Sequence, residues 1–148
     1  MFVKYVEGFS TKILGESAQD IVITDTPKEH GGRGEQFSPT DMLAASLGSC
    51  IVTMMGIFAK MKNIPFEGVV AKVSKKIKNP ATGMVSEITV SIYYPEELDD
   101  AKKAILERAA KNCPVHHALN ESVEQKILFY YGETLQGMPS ETANLSSV

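Results

Sequence analysis

Three features of the sequence predict a single α+β domain. Strand-like and helix-like segments follow one another in the order β-β-β-α-β-β-α-β. The 148 residues hold no internal repeat and no linker, and that length is typical of one domain. Hydrophobic residues make up 43% and charged residues 22%, enough apolar surface for a core without disulfide or metal staples and too much for a disordered chain. The domain is expected to span residues 1–132. The Ser/Thr/Gly/Pro-rich segment 133–148 is expected to be a mobile tail.

The strand signals of the first quarter are short. Phe2-Val3-Lys4-Tyr5-Val6 alternates, Thr11 to Gly15 is brief, and Ile21-Val22-Ile23-Thr24 is β-branched throughout. Asp25 to Phe37 carries Pro27, Gly31, Gly32 and Gly34 among charges, which is loop chemistry. Ser38-Pro39 then starts a helix, with an N-cap hydroxyl followed by proline where its missing N–H is harmless. Asp41, at the third helical position, suits a capping interaction and the helix dipole. Leu43, Leu47, Cys50, Met54, Phe58 and Met61 mark the expected apolar stripe. Gly68 to Ile77 and Val85 to Tyr94, joined by Asn79 to Gly83, read as a β-hairpin. A second helix is expected from Pro95 to Lys111, burying Leu98, Ala101, Ile105 and Ala109. One short turn after Pro114 and a strand from Val123 to Tyr131 complete the domain.

Met42 to Ala59 carries no charge and is long enough for a membrane span. Gly48, Gly56, Ser46, Ser49 and Thr53 interrupt it, Asp41 and Lys60 close it, and no aromatic belt or basic cluster flanks it. The expectation is therefore the central helix of a soluble core. The net charge of -3 gives no electrostatic footprint for nucleic acid or an anionic membrane face. Lys72, Lys75, Lys76 and Lys78 read as the wet face of the hairpin.

Two cysteines, Cys50 and Cys113, form no zinc pattern and no disulfide framework. The alternating, charged start Met1 to Glu7 is unlike a signal peptide, so the reducing cytoplasm is the expected compartment. Cysteines there are either buried fillers or reagents. Small residues Ala44, Ala45, Ser46, Gly48 and Ser49 surround Cys50, so another chain or a substrate could approach it closely.

Two motifs weigh on that choice. The run Ser38-Pro39-Thr40-Asp41-Met42-Leu43 leading to Cys50, and the later Cys113-Pro114-Val115-His116, resemble the OsmC/Ohr family of thiol peroxidases. The resemblance implies an α+β, OsmC-like fold with two sheets wrapped around long central helices in an intertwined homodimer. It implies reduction of organic hydroperoxides, with Cys50 as the peroxidatic and Cys113 as the resolving cysteine. An external dithiol would be the reductant, with no cofactor and no metal.

The family's activating arginine–glutamate pair has no direct counterpart. The chain has two arginines, Arg33 and Arg108, and Thr40 stands at the aligned glutamate position. Arg33, in a glycine-rich loop able to fold over the helix, is the candidate cation, with Glu35 or Asp41 orienting it. Two other functions stay open: a non-catalytic, thiol-containing binding or stress-response protein on the same scaffold, and a cysteine hydrolase using His116 as base. His116 and His117 are adjacent and cannot share a metal from a short helix, and His30 stands alone.

Overall fold

The computed structural model describes residues 1–16 and 20–138. β1 (Phe2–Val6), β2 (Ser10–Leu14) and β3 (Ile21–Asp25) form one antiparallel sheet. After a single 3-10 turn at Lys28–His30 comes the long helix α1 (Pro39–Met61). β4 (Val70–Asn79) and β5 (Met84–Tyr94) pair as the expected antiparallel hairpin. α2 (Asp100–Lys111) and α3 (Pro114–Ala118) then cross back to β6 (Glu124–Tyr131), which joins β5 in parallel with Val90 opposite Ile127. The second sheet thus has the order β4-β5-β6. Of the expected tail, residues 133–138 are described, and Glu133 N–H donates to the Tyr94 carbonyl at 3.1 Å. The mobility expected for the remainder lies outside the described residues.

α2 starts five residues later than the sequence suggested. The Asp99 side chain accepts from Lys102 N–H and fixes the N-terminus there. Its buried residues are consequently Leu106, Ala109 and Ala110, while Ala101 is exposed. The buried stripe of α1 is also rotated from the expected one. Ala44, Leu47, Gly48, Ile51, Met55 and Ala59 are buried, Cys50 and Met54 lie on its flank, and Leu43 and Met61 are exposed. The reason is Gly48, where an added Cβ would overlap the Val73 side chain of β4. The helix presents a glycine to the sheet, and that contact sets its rotation. Leu47, Ile51 and Met55 then pack with Ile88, Val90, Ile92, Leu106, Ala110 and Cys113 in one core.

The α1 N-terminus is held by charge as well as packing. Ser38 and Asp41 form a capping box: Asp41 N–H donates to Ser38 Oγ at 3.1 Å and Ser38 N–H donates to Asp41 Oδ2 at 2.9 Å. Lys75 Nζ bonds both Ser38 Oγ, at 3.2 Å, and Asp41 Oδ1. This corrects the placement of Lys75 on the wet face. Ala71, Val73, Lys75 and Ile77 share the inward parity of β4, whereas Lys72, Ser74, Lys76 and Lys78 point outward.

The first sheet contributes nothing to the core cluster. Phe2 is 66% and Val3 68% exposed, and Tyr5, Ile21 and Ile23 are exposed too. α1 is long and apolar enough to cross a membrane by length and composition, and 33% of its most apolar stretch is buried. Its buried stripe seats it as a core helix.

Two outcomes are expected from these contacts. On an open helix Gly→Ala stabilises by about 1 kcal/mol. Gly48→Ala should instead destabilise, because overpacking costs roughly 1–3 kcal/mol; Val73→Ala in that background should restore urea stability. Burial disfavours ionised Asp41, but the Lys75 and Ser38 bonds outweigh it and hold the carboxyl below its ordinary 3.8. The stability it supplies is complete above 3.8 and fades as pH falls through the lowered value. Lys75→Met should lose about 1 kcal/mol at neutral pH and flatten that acid limb in pH-dependent unfolding.

Candidate active site

The architecture brings Cys50 and Cys113 together from 63 positions apart in sequence. Cys50 sits midway along α1, partly buried. Cys113 lies where α2 hands over to α3: Asn112 caps the first helix, and Pro114 cannot extend it but suits the first position of the next. That corner points inward, and Cys113 has no exposed surface. Both cysteines are free thiols. Burial pushes the Cys113 thiol above its ordinary pKa and the adjoining Cys50 thiol pushes it further, against the backbone N–H groups of His116 and Val115.

His116 is anchored on β6. Its Nδ1 meets Gln125 Oε1 at 2.7 Å, and Gln125 Nε2 donates to the His116 carbonyl at 3.1 Å. With the amide so oriented, Nδ1 is the donor nitrogen. Gln125, which no sequence motif marked, therefore braces α3 and with it the backbone beside Cys113. His117 is exposed.

The three candidate activating residues stand elsewhere in the chain. Asp41 is bound to Ser38 and Lys75; nine residues of helix, about 13 Å, separate it from Cys50. Arg33 and Glu35 are exposed on the loop before α1. Their backbone N–H groups donate to the Asp25 carboxylate at 3.4 and 3.2 Å. The loop base is Asp25 N–H bonded to the Phe37 carbonyl at 3.0 Å. It adjoins the α1 N-terminus, about 18 Å along the helix axis from Cys50.

Lys75 is the cation that the sequence reading placed wrongly, and strand parity was the signal that could have found it. With Asp41 it ends a groove of about 470 Å³ floored by Ala44, Gly48 and Val73. Among the described residues no group of three or more His, Cys, Asp or Glu could hold a metal ion.

A family model for OsmC-like proteins matches residues 32–127, a span containing both cysteines. No curated protein matches the chain at a significant level. Among solved structures, a Psychrobacter arcticus protein described as an osmotic stress induced and detoxification response protein is 35% identical. That match covers 87% of this chain and 93% of the other, with a TM-score of 0.81. The fold is shared with two more distant structures. An organic hydroperoxide resistance protein OsmC of Legionella pneumophila is 18% identical, covering 87% and 95% of the two chains at a TM-score of 0.69. OhrB, an organic hydroperoxide resistance protein of Bacillus subtilis, is 20% identical, covering 86% and 94% at 0.60. The paired thiols, the helix-on-sheet framework that joins them and these matches agree, and the chain belongs to the OsmC-like family.

Proposed function

We propose that the protein is a thiol-dependent peroxidase that reduces organic hydroperoxides to alcohols in the cytoplasm. The observation that carries this reading is the contact between a partly exposed thiol, Cys50, and a fully buried one, Cys113, in a fold shared with organic hydroperoxide resistance proteins. Accessibility supports the order. Cys50 meets the peroxide; its thiolate attacks one peroxide oxygen, the O–O bond breaks, and the departing alkoxide takes a proton to become an alcohol. Cys50 is left as a sulfenic acid. Cys113, kept protonated by burial, attacks that sulfur, and its proton leaves with the hydroxyl as water. An external dithiol returns two electrons to the disulfide. The small and apolar residues around Cys50 favour bulky organic peroxides.

The working unit in this reading is a homodimer. The first sheet leaves Phe2, Val3 and Tyr5 uncovered, and one face of α1 is open at Ala45, Ser46, Ser49, Thr53 and Ile57. Each copy's first sheet would cover the other's α1, since apolar patches of this kind mark association surfaces. That arrangement also resolves the separation of the cation from the thiol. Arg33 would serve the Cys50 of the second copy, while Asp41 with Lys75 holds the start of the helix.

Reduced protein treated with one equivalent of cumene hydroperoxide should lose two hydrogen atoms by intact mass, with Cys50 and Cys113 linked in the peptide map. Cys50→Ser should abolish peroxide consumption and stay folded. Cys113→Ser should complete one oxidation and then over-oxidise. Unchanged mass in folded wild-type protein would favour a binding protein on this scaffold. In sedimentation the protein should run as a dimer, and Phe2→Ser with Tyr5→Ser should shift it toward monomer.

A further inference from the structure

The glycine-rich segment before α1 is not the pliable arm its composition suggests. Gly31 and Gly34 have φ of +84° and +63°, and at Gly32 an added Cβ would overlap the Thr26 carbonyl. Four loop N–H groups are used inside it: His30 and Gly32 donate to the Pro27 carbonyl at 3.0 and 3.2 Å, Gly31 to the Lys28 carbonyl at 3.0 Å and Gly34 to the Thr26 carbonyl at 3.2 Å. The next two bonds leave the backbone and converge on one side chain. Arg33 and Glu35 N–H both donate to the Asp25 carboxylate, which also accepts from Ser10 Oγ at 3.2 Å. Asp25 ends β3 and is 2% exposed, yet no residue of the thiol pair touches it.

We infer that Asp25 is a positioning residue for the thiol chemistry: it fixes the loop that presents the Arg33 guanidinium, and so sets where that cation can meet a Cys50. The inference rests on the peroxidase reading and on the cation role of Arg33. Its geometry is specific to a carboxylate. Oδ1 and Oδ2 accept from Arg33 and Glu35 respectively, and an amide in the same place would set an NH₂ against one of those donors. Burial alone would raise the Asp25 carboxyl; the Glu35, Arg33 and Ser10 bonds outweigh it and hold the group ionised below the ordinary range. Arg33 takes part in no ion pair among the described residues. Its backbone is pinned and its charge is uncommitted, as a residue held ready for an anion beyond its own chain requires.

The test is a double-mutant cycle on the rate at which cumene hydroperoxide oxidises Cys50 in folded, dimeric protein. Asp25→Asn and Arg33→Ala should each slow oxidation by roughly tenfold or more. The double variant should be no slower than Arg33→Ala alone. The pH at which Cys50 becomes reactive to iodoacetamide should rise equally in all three, a readout that mere destabilisation does not move. Should Asp25→Asn fail to fold, Gly32→Ala displaces the same loop without touching the carboxylate and should give the same non-additive loss. The inference is overturned if Asp25→Asn and Gly32→Ala both oxidise at the wild-type rate, if their effects multiply with that of Arg33→Ala, or if Arg33→Ala has no effect. Wild-type protein that is not oxidised at all would instead overturn the peroxidase reading, and this inference with it.

Discussion

The approach of α1 to β4 at Gly48 governs where everything else in this fold can sit. With a hydrogen in place of a side chain at that position, the helix lies against Val73 and turns Leu47, Ile51 and Met55 into the core. The rotation that buries those residues leaves Cys50 on the flank of the stripe, covered enough to meet Cys113 and open enough to meet solvent. A bulkier residue would press on the Val73 methyl and push the helix and β4 apart at that point. Lys75, two residues after Val73 on the same strand face, locks the other end of that contact by reaching the Ser38–Asp41 cap. Packing and charge act on one strand to fix one helix.

Signals confined to neighbouring residues were legible in the sequence. The Ser38-Pro39 start, the hairpin turn and the β-branched run Ile21–Thr24 each depend on chemistry within a few positions, and the structure has them there. Expectations failed where the deciding partner was distant. The α1 stripe was misplaced because its phase is set by Val73, beyond the helix. α2 began late because Asp99 outcompeted Pro95 as a start. Lys75 looked like one more lysine in a basic run until the parity of β4 put it inside. The two cysteines illustrate the same limit: periodicity put Cys50 on a helix and proline put Cys113 at a corner, but neither pattern could bring them together. The family resemblance supplied that pairing, and the α1–α2–α3 packing accounts for it.

Carboxylates in this chain act mainly as anchors of backbone and strand. Asp41 closes the helix cap, and Asp25 gathers the loop before it. Glu87, near the start of β5, bonds Lys126 of β6 at 2.6 Å and Lys76 of β4 at 2.9 Å, and these bonds hold it down to about 2. One acid thus clasps all three strands of the second sheet. Its effect on stability is complete above the ordinary 4.5 and is lost progressively as pH falls from there through about 2. None of these acids is bonded to a thiol. Redox chemistry on the two sulfurs can change their charge without loosening the electrostatic contacts that hold the sheet and the helix start.

The parallel pairing of β6 with β5 has a consequence in time. A hairpin can close as soon as its second strand is made, but a parallel partner must wait for the crossover to be completed. Here the crossover is α2 and α3, which carry Cys113, and β6 carries the Gln125 that braces α3. During synthesis Cys50 is therefore made before its partner thiol can be seated. A nascent chain at that stage has a one-cysteine site, in which a sulfenic acid would have no neighbour to condense with. In the proposed peroxidase reading, the order of elements along the chain leaves each new molecule without its resolving thiol until its last strand is in place.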